Sequence, residues 1–417
     1  MKVLFKNAKI IDRNSRFHLQ HCDVLLENGQ ISKIAKTIKQ EANHVIKSKN
    51  LHLSPGWIDI GTMLNDPGNE QRETFETLVR VARKSGYTCL APFPTTEPTI
   101  QNKSDVNFLM SRSANHHIMI EPIAALSAAR EGKDITEMID LNQHGVKIFS
   151  DGMRSINNAE LLERALLYSQ QFNGTIIHYS NDKSLRGDDQ MHQGVMSTKL
   201  GFHGSPDVAE EVSVKRDISI LKEIGGRLII HTISSQKSLN DIKSAKKAGL
   251  DLLSTVSFQN LTDTDESLIN FDSNRKLNPP LRRPTDQKAL LKGLVDDTID
   301  AIVSNHTPLE EELKKLEYPY ATAGSLGLET VFSVMNNRSQ LSLELLIDKL
   351  SYGPAKCLGR ELRPIAEGQE VNITFFDPDE SFEYSRSGSN SQNSSHLGKV
   401  FKGKVLGSVL KSDLIFN

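Results

Sequence analysis

The sequence predicts an α/β protein, a (β/α)₈ TIM-type barrel with a small β-sandwich domain formed by both chain ends. Two observations predict this architecture. Short apolar runs alternate with helical segments through the middle of the chain, whereas alternating strand patterns with hairpin signals occur at both ends. Strands that are buried on both faces are continuous apolar runs, and their alternation with helices is typical of parallel sheets.

The chain ends have the strand patterns of a small antiparallel domain. Residues 3–11 alternate apolar and polar side chains, Asn28-Gly29 is a hairpin signal, and residues 366–378 and 399–417 again have strand character. We therefore predict a composite domain of residues 1–52 plus 357–417. The stretch 381–395, rich in Ser, Asn and Gly, predicts a mobile loop.

The middle of the chain, residues 53–356, has the βα alternation of the predicted barrel. Helical segments are predicted at 207–223 and 236–248. The apolar runs are TCLAPF (88–93), MIEPIAA (119–125), VKIFS (146–150), GTIIHYS (174–180), RLIIHTIS (227–234), LDLLSTVS (250–257) and DAIVSNH (300–306).

The composition argues against binding to nucleic acid or to an anionic membrane, and against a membrane-spanning protein. The 50 basic and 52 acidic side chains leave no excess of positive charge for nucleic acid or an anionic membrane. No window approaches the roughly 20 apolar residues of a membrane span, and Lys6, Asn7 and Lys9 interrupt the N-terminal apolar run. We expect a cytoplasmic protein, and its three scattered cysteines predict buried thiols.

Polar residues end several of the apolar runs. Active sites of such barrels lie at the C-terminal ends of the strands. His178 and His231 each close a run, and Asn305-His306 closes another. Two histidines at the ends of successive predicted strands favour one shared site over isolated hydrogen-bonding residues.

Taken in order, these and other segments resemble the dihydroorotases from about residue 3 to the end. The segments that carry the resemblance are SPGWIDIGTMLNDPG (54–68), SGYTCLAPFPTTEPTIQN (85–102), GVKIFSDG (145–152), IIHYSND (176–182), IIHTISS (229–235), KLNPPLR (276–282), IVSNHTP (302–308) and AEGQEVNITFFDP (366–378). The resemblance implies a metal-dependent barrel and an enzyme that interconverts dihydroorotate and carbamoyl aspartate in pyrimidine synthesis.

That chemistry needs a metal ion that lowers the pKa of bound water to about 7 and polarises the amide. The family's first two ligands form a His-x-His pair, and Gly61 and Met63 stand at these positions. The family's strand-eight Asp, which binds metal and acts as general base, is replaced by Asn305. A neutral amide cannot take a proton from water near pH 7.

Some ligand-like residues are retained. His178 and His231 stand at the family's later histidine positions, and Asp151 at a bridging-Asp position of some branches. Lys147 stands where other branches carry a carboxylated lysine, although a barrel lysine in an ion pair explains it equally well. We expect no cofactor; the alternative is one Zn²⁺ on two histidines and a carboxylate.

The substrate positions are altered as well. Leu64-Asn65 stand where the family's carboxylate-binding Arg follows the His-x-His pair, Thr95 stands in the family's Met-Pro-Asn-Thr, and Leu309 replaces the last His of the strand-eight motif. Asn278 persists as a contact that the resemblance implies; as a turn residue before two prolines it would have only a local structural role.

Two functional interpretations stay open. The first is a catalytically inactive homologue that acts as a structural partner of another enzyme. By analogy, that enzyme is aspartate transcarbamoylase. The second is an active dihydroorotase, or a relative acting on another cyclic amide, with a rearranged site of at most one metal. Whether the chain is an enzyme is therefore undecided at this point. A homodimer is the expected assembly, since closed two-fold symmetry is the commonest oligomeric solution.

Overall fold

The computed structural model describes residues 1–417 apart from the side chain of Asn115. The strands are β1 Lys2–Ile10, β2 His21–Glu27, β3 Gln30–Ala35, β4 His44–Ile46, β5 His52–Pro55, β6 Trp57–Met63, β7 Tyr87–Phe93, β8 Met119–Ile120, β9 Ile123–Ala124, β10 Ile148–Phe149, β11 Thr175–His178, β12 Met191–His192, β13 Gly204–Ser205, β14 Leu228–Ile230, β15 Leu252–Ser257, β16 Ala301–Val303, β17 Asn372–Tyr384, β18 Lys399–Leu410 and β19 Asp413–Phe416.

The helices alternate with the strands through the middle of the chain. They are α1 Phe75–Lys84, α2 Lys103–Asn115, α3 Met138–Gln143, α4 Ala159–Gln170, α5 Lys183–Arg186, α6 Val195–Leu200, α7 Asp207–Ile224, α8 Gln236–Lys247, α9 Phe258–Thr262, α10 Pro284–Val295, α11 Glu311–Lys314, α12 Val331–Arg338, α13 Leu343–Leu350 and α14 Tyr352–Cys357. The predicted helices at 207–223 and 236–248 are α7 and α8. Among the described residues, no helix combines the length and apolarity that a membrane crossing requires.

Parallel strands form a closed barrel in the middle of the chain. β6, β7 and β8 pair in sequence, and β9, β10, β11, β14, β15 and β16 pair in sequence after them. The backbone N–H of Met63 in β6 donates to the carbonyl of His306 at 3.0 Å, which joins the first strand to the last. The predicted (β/α)₈ barrel is confirmed.

Alternate residues of the barrel strands face two different cores, as the two-residue period of a strand requires. The outward residues pack under the helices, for example Leu90 and Phe149. The inward set fills the barrel interior and consists of Ile58, Ile60, Cys89, Ala91, Phe93, Ile123, Ile148, Ile177, Ile229, Leu253, Ala301 and Val303. The barrel is therefore a packed core with chemistry possible only at its ends.

Both chain ends contribute to one eight-stranded sheet, in the order β19-β18-β17-β5-β1-β2-β3 with β4 beside β1. The N-terminal and C-terminal parts meet where Ser54 of β5 pairs with Thr374 of β17. This β-rich terminal domain agrees with the predicted fold class. The exact limits of the two domains stay predictions; β5 runs across residues 52–53 and α14 across 356–357.

The Ser- and Asn-rich stretch corrects one expectation. The composition of residues 381–395 predicts a mobile loop, but its first part is the end of β17 and its later part is packed on barrel loops. Asn393 is 4% exposed; it accepts a hydrogen bond from the Leu309 N–H at 3.1 Å and donates to the Thr307 carbonyl at 2.9 Å. Polar side chains of this stretch, such as Asn393, therefore form hydrogen bonds within the fold. The composition of the stretch does not reveal this.

Candidate active site

The first and last barrel strands are held together by a buried carboxylate. Asp59 of β6 accepts hydrogen bonds from both the backbone N–H and the hydroxyl of Ser304, each at 2.7 Å. Burial raises the pKa of Asp59 above its usual value. This contact aligns the strand ends so that Gly61 and Asn305 lie at the same mouth of the barrel.

Gly61 lies where a side chain has no room. Its φ is +87°, which favours glycine, and a Cβ added there would lie 2.7 Å from the Phe93 ring and 2.8 Å from Nε2 of His231. Contacts this short require the neighbouring atoms to move. The first position of the expected His-x-His pair therefore does point at His231, but the ring of Phe93 already fills the space between them.

His231 is buried and uncharged. Its Nδ1 lies 3.0 Å from the Thr255 hydroxyl, and its Nε2 has no hydrogen-bond partner. The Phe93 ring packs edge-on against the imidazole, with 5.0 Å between ring centroids. Burial lowers the pKa of His231 to about 3, since a charged imidazole would lose its hydration without gaining a partner.

Both ring nitrogens of His178 are already used. Nδ1 lies 2.6 Å from Oδ2 of Asp217 in α7, and Nε2 accepts the backbone N–H of Ile156 at 2.9 Å. The proton must be on Nδ1, because a proton on Nε2 would face the Ile156 N–H. The imidazole is therefore neutral and has no lone pair left for a metal ion.

Asp217 is fixed in turn by a charge network. Arg216 donates to it through Nε at 2.9 Å and Nη2 at 2.7 Å, and the Ser180 hydroxyl donates at 2.5 Å. Burial would raise the pKa of Asp217, but His178 and the Arg216 charge lower it below its usual value. This carboxylate is the kind of partner that orients a metal-bound histidine, yet here it supports a histidine bound to backbone.

Asp151 and Lys147 lie at opposite ends of β10. Asp151 accepts the N–H groups of Leu126 at 3.0 Å and Ser127 at 2.9 Å, and the Ser127 hydroxyl also donates to it. Burial raises its pKa despite these bonds. Lys147 precedes the strand and is exposed. At about 3.3 Å per residue the two are too far apart to share a metal, so Lys147 does not belong to this site.

Asn305 and Asn278 bind each other across the mouth. The Asn305 side-chain N–H donates to the Asn278 carbonyl at 3.1 Å, and Asn305 has a φ of +47°. Asn278 Oδ1 accepts the Tyr179 hydroxyl at 2.6 Å. The neighbouring His306 lies 2.8 Å from the buried Glu73 through Nε2 and accepts the Gly327 N–H at Nδ1, so it is also saturated.

The altered substrate positions are used for loop structure. The Thr95 hydroxyl donates to the Leu64 carbonyl at 2.7 Å and accepts the Leu64 N–H at 2.9 Å. Leu309 is 4% exposed, and Asn65 is 7% exposed with a side-chain nitrogen that has no partner. None of the three carries a charge that would hold a substrate carboxylate.

Comparison with known proteins decides the family. A family model described as dihydro-orotase-like matches residues 51–238. A dihydroorotase of Thermoanaerobacter sp. (strain X514) is 35% identical over 421 residues, covering 99% of this chain and 97% of the relative. A dihydroorotase of Pelotomaculum thermopropionicum is 33% identical, and the match covers 97% of this chain and 96% of the relative. The chain belongs to the dihydroorotase family.

Solved structures agree on the fold of this dihydroorotase-family chain. The L-hydantoinase (dihydropyrimidinase) from Arthrobacter aurescens superposes with a TM-score of 0.85 at 19% identity, covering 100% of this chain and 96% of that one. The D-hydantoinase from Thermus sp. superposes with a TM-score of 0.80 at 17% identity. The fold of this chain is therefore shared with these hydantoinases.

The residues at the barrel mouth do not fit the zinc centre that the dihydroorotase family implies. Zn²⁺ needs imidazole nitrogens or carboxylates that converge with free lone pairs. Glycine offers none, the Met63 thioether is a poor ligand for this ion, and His178 is saturated. Of the two retained histidines His178 and His231, only His231 has a ring nitrogen without a hydrogen-bond partner, and Phe93 packs against this imidazole.

A second group of possible ligands lies elsewhere among the described residues. One ligand atom each of His192, Asp207 and Asp286 come within 4.8 Å of one another. Arg282 and Arg283 already bind Asp207 at 3.0 and 2.5 Å, and Arg283 also binds Asp286. Two guanidinium groups oppose a divalent cation here, and none of the three residues is at a position of the family's ligands.

Sequence reasoning missed two residues that define the site. Phe93 stands in the segment compared with Met-Pro-Asn-Thr, but its effect on Gly61 and His231 depends on the direction of its ring. Asp217 lies 39 positions after His178, on a helix whose polar residues have no distinctive spacing. An acidic residue inside a buried helix face is the only signal that could have found it.

Proposed function

We propose that this member of the dihydroorotase family does not hydrolyse dihydroorotate and acts as a structural partner in pyrimidine biosynthesis. Aspartate transcarbamoylase is the partner to test first, by analogy with assemblies in which an inactive homologue supports that enzyme. The observation that carries the proposal is that Phe93 packs against the His231 ring and leaves no room for a side chain at Gly61, where the family's first metal ligand would lie.

The loss of a proton acceptor supports the same proposal. Ring opening needs an activated water and a base, and such groups act as a unit in catalysis. Asn305 is an amide that donates to the Asn278 carbonyl, and Asp151 is held by Ser127 and Leu126. Asn305 is not a carboxylate, and the carboxylate of Asp151 already accepts hydrogen bonds from the protein.

An active cyclic-amide hydrolase is the second candidate. Its support is the full-length similarity to proteins named dihydroorotase, 35% identical in the Thermoanaerobacter relative. His178, His231 and Asp151 are also retained at ligand positions. In this alternative the enzyme uses at most one metal, and binding would have to displace the Ile156 N–H from His178 and rotate Phe93 away from His231.

Metal content and turnover of the full-length protein distinguish the two candidates. The protein is purified without chelators, and zinc is measured by mass spectrometry with and without added Zn²⁺. We expect less than stoichiometric zinc, no rise in melting temperature with Zn²⁺, and no conversion of dihydroorotate or carbamoyl aspartate. A ligand that binds only the folded state raises its stability, so an increase with Zn²⁺ would contradict the proposal. Turnover near 1 s⁻¹, within the ordinary enzyme range, would establish the hydrolase.

Restoring the family residues tests why activity is absent. One variant carries Gly61→His, Met63→His and Asn305→Asp; a second adds Phe93→Met, the residue of the family motif. Any side chain introduced at position 61 would meet the Phe93 ring. We therefore expect only the second variant, in which Phe93 is replaced, to bind zinc. Zinc bound equally by both would show that Phe93 does not block the site.

Binding to aspartate transcarbamoylase of the same organism is measured by sedimentation of the separate and mixed proteins. We expect a heavier complex in the mixture and a homodimer of this chain alone. Two unchanged sedimenting species in the mixture would overturn the partner, whatever the result of the zinc assay.

A further inference from the structure

A cavity opens at the barrel mouth, beside the candidate active site. Its volume is about 680 Å³, and it is lined by the loops that follow β9, β10 and β11. We call it the basic cavity after its five cationic residues, Arg130, Lys133, Arg154, Lys183 and Arg186. Asp151 of the candidate active site also lines this cavity.

The five cations of the basic cavity outnumber the carboxylates of its lining, which are Glu131, Asp151 and Asp188. Lys133 pairs with Glu131 at 2.9 Å and Arg186 with Asp189 at 2.5 Å. No ion pair among the described residues includes Arg130, Arg154 or Lys183. Asp151 does not compensate, because its oxygens are taken by Leu126 and Ser127.

Arg130 is held in place before any ligand binds. Ala129 and Arg130 have φ values of 50° and 57°, and Arg154 donates to both of their carbonyls at 3.3 and 3.2 Å. Nε of Arg130 is buried and has no hydrogen-bond partner. Burial, and then the charge of Arg154, lower the pKa of Arg130. Two guanidinium groups are thus kept near each other.

Asn181 adds an unused acceptor to the same wall. It is 2% exposed, and its orientation is settled by its neighbour. The Tyr179 hydroxyl gives its proton to Asn278, so its oxygen accepts from Nδ2 of Asn181 at 2.8 Å. The other amide atom, Oδ1, is therefore the one without a partner, and Asn181 is one of the residues that line the cavity. Buried polar atoms are rarely left unpaired.

We propose that the basic cavity binds a small dianion that also carries a hydroxyl or N–H donor, of the dicarboxylate or phosphate-ester class. Arg130 and Arg154 bind the anionic oxygens, and Asn181 Oδ1 accepts the donor. Guanidinium groups suit both oxyanions, since each can accept two parallel hydrogen bonds. This site needs no metal and no hydrolysis, so it is independent of the function proposed above.

Calorimetric titration of the full-length protein tests the site with four probes. Malate and succinate differ only in a hydroxyl, and glycerol 3-phosphate and inorganic phosphate represent the phosphate source. We expect malate to bind more tightly than succinate, or glycerol 3-phosphate more tightly than phosphate, and the tighter pair identifies the class. The Arg154→Gln variant should weaken binding about tenfold, as expected for one charge-assisted hydrogen bond.

Two further variants make the result decisive. Arg164→Gln removes the same charge from α4, where Arg164 pairs with Glu160 outside the cavity, and should leave affinity unchanged. Asn181→Leu should abolish the preference for the hydroxylated probe. The site is overturned if no probe binds up to about 10 mM, where even millimolar sites fill, or if Arg154→Gln and Arg164→Gln weaken binding equally. Equal binding of the paired probes to the unaltered protein would overturn the role of Asn181.

Discussion

The two sides of the barrel mouth differ in how their polar groups are satisfied. On the side of β6, β14 and β16, His178, His306 and Asn305 bind other protein groups, and Phe93 packs against the imidazole of His231, whose Nε2 has no partner. On the side of β9, β10 and β11, Arg130 and Asn181 line a cavity, and Nε of Arg130 and Oδ1 of Asn181 have no hydrogen-bond partner. The side where the family would bind metal is closely packed, whereas the adjacent side contains the cavity that we propose binds an anion.

This difference separates residues that stabilise the fold from residues that do not. Buried polar groups that bind each other contribute stability and are costly to break. Exposed cations without partners contribute little to folding. Substitutions on the two sides should therefore change stability by very different amounts.

The largest effect is expected at Asp217. The Asp217→Ala variant leaves Arg216 and His178 without their buried partner, and we expect a loss of about 3–5 kcal/mol in the free energy of unfolding. Urea denaturation at pH 7 measures this loss, with Asp241→Ala, a carboxylate 30% exposed in α8, as the control. A loss below about 1 kcal/mol, typical of an ordinary substitution, would mean that this side is not a saturated core.

Gly61→Ala should follow in size. The added methyl group meets Phe93 and His231 at a φ of +87°, which predicts a loss of about 2–3 kcal/mol. Combining it with Phe93→Leu in a double-mutant cycle should recover part of the loss, because the smaller side chain leaves room. Strict additivity of the two changes would contradict the contact that closes the site.

The closed side should also be sensitive to acid through His231. Its folded-state pKa is about 3, below the unfolded value near 6.5, so the unfolded chain takes up the proton first as the pH falls. Stability is therefore present above pH 6.5 and is lost progressively down to about pH 3. Between pH 7 and 5 this histidine should account for about 2 kcal/mol. The His231→Asn variant should show a pH dependence smaller by that amount in urea denaturation.

The smallest effects are expected in the basic cavity. Arg154→Gln and Lys183→Gln remove exposed cations without a carboxylate partner and should change the free energy of unfolding by no more than about 0.5 kcal/mol. Thermal melts at low salt measure this, where a small gain is expected because repulsion from Arg130 is relieved. A loss above about 2 kcal/mol would show that these residues serve the fold and would remove the contrast between the two sides.

Sequence patterns were sufficient for the architecture, since the apolar runs around Ile177 and Ile229 predict interior strands. That Gly61, Met63 and Asn305 stand at lost ligand positions stays a prediction from their neighbours in the chain. The patterns were not sufficient for Lys147, which shares a segment with Asp151 but lies at the other end of β10. The packed segment around Asn393 was also missed, because serine and asparagine serve exposed loops and buried hydrogen-bond networks equally well.

By itself the sequence determined which donors this protein lacks, because the absence of an imidazole at position 61 or a carboxylate at 305 does not depend on folding. Only the tertiary structure decided the state of the donors that remain. His178 and His231 are the same residue type at equivalent strand ends, yet one binds Asp217 and the Ile156 N–H while the other faces a phenyl ring. Those partners come from distant segments, and the direction of a lone pair is set by packing in three dimensions.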